Sequence, residues 1–385
     1  MPARAPFALY AHVPWCRHVC PYCDFNVYAS SEPPEGPYLE ALATELATHA
    51  AAEPWTGRAL RSVYLGGGTP SLLSAEAVAR LLDAAARCFG LEPDAEVTIE
   101  ANPAGLTVDR LAGFRAAGVT RLSIGAQSFT AAHLRTLGRD HDAADIAAAV
   151  AAARAAGFDN VSLDLIYGVP GGTVAEWEAD VAAALALRPP HVSAYALTYE
   201  EATPFFAWRA KGRLAPVGED DEASMAEVVV DALEAAGLAR YEISSFARPG
   251  YESRHNLAYW DGSDYLGIGA GAHSFAATPS PGRRCANERL PARYVAAVAA
   301  TGTAVASEEW LTEAQARAEF CFTGLRQVAG IDTAAFRRRF GCDVDAAFPH
   351  VARLLADDLL QRDGGRLRLT ARGLRFADTV AAKFL

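Results

Sequence analysis

Three cysteines fall within eight residues, Cys16, Cys20 and Cys23, spaced C-x3-C-x2-C. An apolar run over 7–13 leads straight into them, so three soft ligands converge on a loop after a first strand. Thiolates suit zinc or an iron–sulfur cluster. Three thiolates on a four-iron cube leave one iron without a protein ligand, and an open coordination position is where metal chemistry takes place. The rival is a structural zinc loop with His18 as the fourth ligand. Such sites pair C-x2-C with a second ligand pair farther on, and none is present. Seven cysteines, an odd number in a chain of this size, do not read as a disulfide framework. The spacing favours a redox or radical cluster over zinc.

Other chemistry-bearing residues recur at one position, just after apolar runs that read as strands. Gly66-Gly-Gly-Thr-Pro70 follows 61–65, and a triple glycine of this kind exposes backbone N–H groups to a ligand. Glu100 suits an amine or a ribose hydroxyl. Gln127, Arg139, Asp164 and Tyr195 each have an ordinary solvated reading when taken singly, and their shared placement raises them together. Gly267-Ile-Gly-Ala-Gly271 lacks the third glycine of G-x-G-x-x-G and no strand–helix–strand unit follows, so close backbone packing is the better reading. In His255-Asn-x2-Tyr-Trp260 the histidine reads either as a satisfied core residue or as an axial ligand to heme iron, with rings on the macrocycle. Cys88, Cys285, Cys321 and Cys342 have no metal-ligand spacing.

The elements that must position these residues alternate. Strand patterns at 7–13, 61–65, 96–102, 121–128, 160–167 and 191–198 are separated by helical patterns at 38–52, 74–88, 107–117, 142–156 and 173–187. Such alternation builds a parallel sheet with helices outside, with the site at the carboxyl ends of its strands. Polar residues after nearly every strand favour a barrel over a doubly wound sheet. A helix follows over 219–236, then the glycine- and aromatic-rich stretch. From about 308 the pattern changes to helices near 312–325, 332–340 and 345–358, the turn Gly364-Gly365, a short strand and a last helix. This resembles a winged helix. Its 12 basic and 11 acidic side chains leave a net +1, too little for a DNA-reading wing, so a packing or lid role is expected.

The chain has 385 residues, 51% apolar and 21% charged, with a net charge of −11. That charge argues against a nucleic-acid binder, and any carboxylate-bearing ligand needs a local cationic pocket. The N-terminus carries no secretory pattern and no apolar run reaches the ~18 residues that span a bilayer. The expectation is a cytoplasmic protein with at most peripheral membrane contact.

Taken together, the motifs resemble the radical S-adenosylmethionine (SAM) superfamily, and within it the branch of oxygen-independent coproporphyrinogen III oxidases and HemW heme chaperones. They are Tyr10-x-His-x-Pro-x-Cys16-x3-Cys20-Pro-Tyr-Cys23, Gly66-Gly-Gly-Thr-Pro70, Ile99-Glu-Ala-Asn-Pro103, Ser123-Ile-Gly-x-Gln-Ser-Phe129, Asp164-Leu-Ile-Tyr-Gly168 and His255-Asn-x2-Tyr-Trp260. The resemblance implies an α/β fold, a partial (β/α)6 TIM-type barrel with a C-terminal, mostly helical, winged-helix-like domain. It divides the chain into a barrel over 1–215, an extension and linker over 216–307 and a C-terminal domain over 308–385. It implies a [4Fe–4S] cluster on Cys16, Cys20 and Cys23, with SAM chelating the fourth iron. By position, Tyr10, Tyr22, Gly67, Gly68, Thr69, Glu100, Gln127, Arg139, Asp164 and Ala194 match SAM contacts. In such enzymes a reduced cluster donates one electron to the sulfonium. Two departures separate this chain from the decarboxylating oxidases: Phe25 stands where they carry a fourth cysteine, and the first cysteine comes early, at residue 16. Both match HemW, as does the HNxxYW stretch, with His255, Tyr259 and Trp260 as candidate heme contacts. The implied partners are heme, recipient hemoproteins and an electron donor. The alternative is porphyrinogen decarboxylation itself.

Overall fold

Helices begin in this chain where a side chain can satisfy their free N–H groups. Ser74, Thr107, Asp142 and Thr173 each accept from the first turn of the helix they precede. Asp142 and Thr173 complete reciprocal boxes with Asp145 and Glu176. These caps set the rhythm of the first 200 residues of the computed structural model, which describes residues 4–385. The order is β1 (Phe7–Val13), α1 (Glu35–Ala50), β2 (Leu60–Gly67), α2 (Ala75–Phe89), β3 (Leu91–Ala101), α3 (Val108–Ala116), β4 (Arg121–Gln127), α4 (Ala143–Ala155), β5 (Asn160–Tyr167), α5 (Val174–Ala186) and β6 (His191–Ala196).

The six strands lie side by side in chain order, every pair parallel. Tyr265–Ile268 adds a seventh parallel strand on the far side of β1, and its interstrand neighbours continue antiparallel through His273–Ala276, Arg283–Asn287 and Val305–Trp310. At the other edge Ser245–Ala247 and Ala239–Arg240 extend the sheet antiparallel from β6. The twelve strands form an open sheet, so the barrel is partial, as expected. Register places Tyr10 beside Tyr64, Glu100 beside Ser123 and Asp164 beside Ser193, which aligns polar side chains from neighbouring strands on one layer.

The main core takes in all six strands and also Met225, Val229, Leu233, Leu266, Ile268, Tyr294 and Val298, so the middle segment packs into the same core as the strand–helix repeat. A second core lies in the C-terminal part, around Phe336, Phe340, Leu354, Leu367 and Phe384. There the helical pattern near 345–358 is two short helices, Val344–Ala347 and Val351–Ala356. Pro349 explains the break, because it cannot continue the ladder and keeps Phe348 before it out of the helical conformation. Strand Arg366–Leu369 sits between Ile331–Asp332 and Leu360–Asp363. Among the described residues no helix is long and apolar enough to cross a membrane.

Candidate functional site

The cysteine loop leaves β1 and is clamped at both ends. Trp15–Cys16 pairs with Tyr28–Ala29, the Tyr28 N–H donates to Pro14 O (2.7 Å), and the Ser30 N–H donates to Cys16 O (2.8 Å). His12 Nε2 donates to Asn26 O (2.9 Å), while Asn26 Nδ2 donates to Ala270 O (2.9 Å) and Arg289 O (2.9 Å). The residues between are thus held in one shape. Cys16, Cys20 and Cys23 all face the same cavity, of about 590 Å³, at the carboxyl ends of the strands. Burial raises the Cys16 thiol and pushes Cys23 up to about 11. Such thiols stay protonated until a metal displaces the proton. Among the described residues no three His, Cys, Asp or Glu side chains converge on a single ion-sized point. His18, the candidate fourth zinc ligand, instead spends Nε2 on Gly138 O (2.6 Å).

Opposite the thiols stand the strand-end polar residues. Glu100 accepts from Tyr64 Oη (2.8 Å) and from the Gly67 N–H (3.0 Å). Burial raises its carboxyl to about 7, with the nearby Asp164 carboxylate adding to the shift. Asp164 accepts from Ser123 Oγ (2.8 Å) and Ser162 Oγ (3.2 Å) and is also raised by burial. Arg139 Nη2 donates to Gly125 O (3.0 Å), Nη1 lies 3.7 Å from Cys20 Sγ, and Nε has no partner among the described residues. A cation beside the thiols stabilises their deprotonated form. Gln127 ends β4 with φ of 64°, a left-handed conformation that a non-glycine residue holds only under constraint.

Tyr22, Gly67, Gly68, Thr69, Glu100, Gln127, Arg139 and Asp164 all line the cavity with the three cysteines. Tyr10 and Ala194 do not. Tyr10 sits below, its hydroxyl 3.0 Å from His12 Nδ1, and Ala194 is buried with its N–H donating to Ser244 O (2.8 Å). The glycine run also differs from expectation. Its N–H groups are not left for a ligand: Gly67 N–H serves Glu100, Gly68 N–H donates to Val13 O (2.8 Å) and Thr69 N–H to Trp15 O (2.7 Å). The run is glycine because a Cβ on Gly67 would lie 2.4 Å from the His12 ring and one on Gly68 2.5 Å from Trp15 O. Thr69 Oγ1, 3.4 Å from Cys16 Sγ, is the group this turn turns toward the thiols. In the second glycine run, a Cβ on Gly267 would meet His273 O at 2.1 Å, so close packing accounts for it.

Sequence reading alone misses several lining residues: Tyr64, Arg121, Ser193, Asn256, Arg17 and Arg110. Arg121 carried a signal, as a charged residue opening an apolar strand. It is 2% exposed, and among the described residues its side chain makes one hydrogen bond, to His191 Nδ1 at 3.4 Å.

The HNxxYW stretch forms the helix Arg254–Trp260, capped by Ser253. Glu96 accepts from the N–H groups of Arg254 (3.2 Å) and His255 (3.1 Å). His255 is 1% exposed. Its Nδ1 pairs with Ser62 Oγ (3.0 Å) and its Nε2 with Tyr259 Oη (2.8 Å), and the ring stacks on Tyr64 at 4.9 Å. Burial, with Arg61 and Arg121 nearby, lowers it to about 3, so the imidazole is neutral. Iron at either nitrogen would first have to break one of these bonds. Of the stretch, Asn256 lines the cavity, whereas His255, Tyr259 and Trp260 do not. Trp260 faces the C-terminal part, with the Arg326 guanidinium 4.6 Å over its ring.

The sequence matches the Radical SAM superfamily over residues 10–184 and the HemN C-terminal domain over 311–376. It is 37% identical to a protein named heme chaperone HemW from Bacillus subtilis, covering 98% of each chain. It is 41% identical to one so named from Mycobacterium tuberculosis, over 100% of this chain and 96% of the relative. A third, from Escherichia coli, is 36% identical over 99% and 98%. In fold it is similar to the coproporphyrinogen III oxidase HemN of Escherichia coli, a radical SAM enzyme, with a TM-score of 0.83 at 24% identity, covering 98% of this chain and 90% of that one.

Proposed function

We propose that this chain, which belongs to the HemW family of the radical SAM superfamily, binds heme and passes it to hemoproteins while carrying a SAM-chelated [4Fe–4S] cluster. Cys16, Cys20 and Cys23 fit the cluster because three soft thiols on one loop face one cavity. When bound, the pair of cofactors supplies one-electron chemistry. The protein's own tasks are positional. Arg139 offsets thiolate charge beside Cys20. Glu100 and Asp164 are half-buried acceptors for ligand amine or hydroxyl groups, and each is fixed by neighbouring hydroxyls.

The observation that carries heme handling over porphyrinogen decarboxylation is Phe25. Where the resembling oxidases hold a fourth cysteine, this chain presents a phenyl ring, 65% exposed, on the lining of the cavity. An exposed ring beside a cluster offers an apolar plane, not a sulfur ligand. The test is one cluster-loaded, anaerobic sample split in two. Hemin titration is expected to give a saturable Soret shift at one heme per chain. Incubation with coproporphyrinogen III, SAM and reductant is expected to leave its propionates intact. Propionate loss, or no heme binding, would overturn the proposal.

A further inference from the structure

Glu100 is held at both carboxylate oxygens, and the two holders differ in what stands behind them. The Gly67 N–H, on one oxygen, is backbone of a sheet strand. Tyr64 Oη, which donates to the other (2.8 Å), is the far end of a side chain and needs support of its own. That support is a cluster of three near-parallel rings. His255 lies 4.9 Å from Tyr64 at an interplanar angle of 29°, and Tyr10 lies 6.2 Å away at 27°. Tyr10 and His255 are themselves 6.3 Å apart. Both backing rings are tied down by hydrogen bonds. His255 pairs with Ser62 Oγ and Tyr259 Oη, one at each nitrogen. Tyr10 Oη donates to His12 Nδ1 (3.0 Å), and the same imidazole holds the cysteine loop at Asn26 O.

The backbone makes room for this arrangement at Gly66. A Cβ there would lie 2.8 Å from Tyr64 Cε1 and 3.0 Å from Tyr10 Cε2. Gly66 is not in the left-handed region, so the turn does not demand glycine at this position and ring packing does. The first glycine of the run thus serves the two tyrosines, as the next two serve His12 and Trp15. Tyr64 and Glu100 both line the cavity. A carboxylate offers about four lone-pair sites, and Tyr64 and Gly67 take one on each oxygen, which leaves the others for a ligand donor. A ligand-holding group keeps its geometry when the side chains around it are locked in turn.

We propose that Tyr64 is a positioning residue of the ligand site: set in place by the rings of His255 and Tyr10, its hydroxyl holds Glu100 in the orientation that accepts a ligand amine or hydroxyl. This rests on the reading of Glu100 as a ligand acceptor given above. It also connects the HNxxYW helix to the cavity, because a shift of His255 reaches Glu100 through a single ring.

The test is a double-mutant cycle on full-length, cluster-loaded protein, with SAM affinity measured by equilibrium titration. Tyr64→Phe keeps the ring and its stacking and removes one hydroxyl, so melting temperature and cluster content are expected to stay close to wild type. SAM is expected to bind it about tenfold more weakly. Glu100→Gln is expected to weaken SAM at least as much. The double variant is expected to bind no more weakly than Glu100→Gln alone, because the hydroxyl acts only through that carboxylate. Losses that multiply in the double variant would show that Tyr64 acts on the ligand by another route, and would overturn the positioning role. Wild-type SAM affinity in Tyr64→Phe, with Glu100→Gln weakened, would also overturn it and leave Glu100 a ligand acceptor. Wild-type affinity in Glu100→Gln would remove the acceptor reading, and the role of Tyr64 with it.

Discussion

Two clusters of polar residues, one buried around His255 and one half-buried along the cavity, differ in what they have left to give. Around His255, the hydroxyls of Ser62 and Tyr259, the Glu96 carboxylate and two helix N–H groups pair with one another, with Tyr64 stacked against the ring. Around the cavity, three thiols and the strained Gln127 line open space, and the buried Arg139 Nε has no partner among the described residues. Both contain residues that bind metals elsewhere. Unspent bonding capacity, and not residue type, separates a site from a core network.

The sharpest way to break this comparison is to remove one thiol. Alanine at Cys16, Cys20 or Cys23 is expected to abolish cluster retention, read as loss of iron, sulfide and the brown charge-transfer absorbance after anaerobic reconstitution. The loop is pinned by His12–Asn26 and Tyr28–Pro14 bonds that involve no sulfur, so thermal stability should change by only about 1 kcal/mol or less. A cysteine variant that keeps full cluster content, or a zinc-loaded colourless wild type, would dissolve the contrast.

The His255 side predicts the opposite pattern. His255→Ala removes a ring that fills a buried slot and leaves two hydroxyls unpaired, which is expected to cost about 2–4 kcal/mol in denaturant unfolding. Cluster content and the Soret spectrum with hemin are expected to be unchanged. A lost or shifted Soret band in a variant that remains folded would make His255 an iron ligand and Tyr259 its gate.

Glu100 lies on the boundary between the two regions, since it shares Tyr64 with the stack and faces the cavity. Its carboxyl is raised to about 7, so in the folded chain it stays protonated well above the ordinary carboxyl range. The unfolded chain releases that proton first. Ionising Glu100 therefore costs folding stability as pH climbs from the usual carboxyl range to about 7, with no further cost above it. Ligand binding carries the reverse sign, because only the carboxylate accepts from an amine or two hydroxyls. SAM affinity of the cluster-loaded protein is expected to rise roughly tenfold between pH 6 and 8 in wild type. Glu100→Gln should bind weakly at both values with a flat profile. Identical pH profiles in the two proteins would take Glu100 out of the ligand site.

What could be read from the sequence divides along the same line. The strand–helix rhythm was legible because caps and glycine stops are local: Thr107, Asp142, Thr173 and Ser74 each act within three residues of themselves. The cavity-facing strand-end residues were legible because a parallel sheet gathers its carboxyl ends. The packing reason for the glycine run was not legible because it is nonlocal. Nothing near Gly67 and Gly68 announces that His12 and Trp15 will press on them. Tyr64 and Arg121 were missed for a related reason, since a side chain in a strand points to one of two faces and only tertiary register decides which. His255 was ambiguous because its partners, Ser62 and Tyr259, lie 193 and 4 residues away and only one of these separations is helical.

The smallest expected effect concerns how the lower cluster reaches the rest of the chain. Trp260 ends the HNxxYW helix with the Arg326 guanidinium 4.6 Å over its ring, and its Nε1 has no partner among the described residues. Nearby, the Ile243 N–H donates to Arg326 O (3.0 Å) and the Val328 N–H to Tyr241 O (3.0 Å). Backbone bonds thus carry most of the junction, and the cation–π contact adds to them. Arg326→Ala is expected to lower stability by about 0.5–2 kcal/mol. Because the backbone bonds survive, hemin and SAM affinities should stay within about twofold of wild type. Trp260→Ala should cost more, through lost burial, and the double variant should cost less than the sum by the value of the shared contact. Strict additivity would show that the two side chains are neighbours without coupling. An Arg326 variant that loses hemin or SAM binding would instead tie the C-terminal part to the cavity through Trp260 and, four residues earlier on the same helix, Asn256.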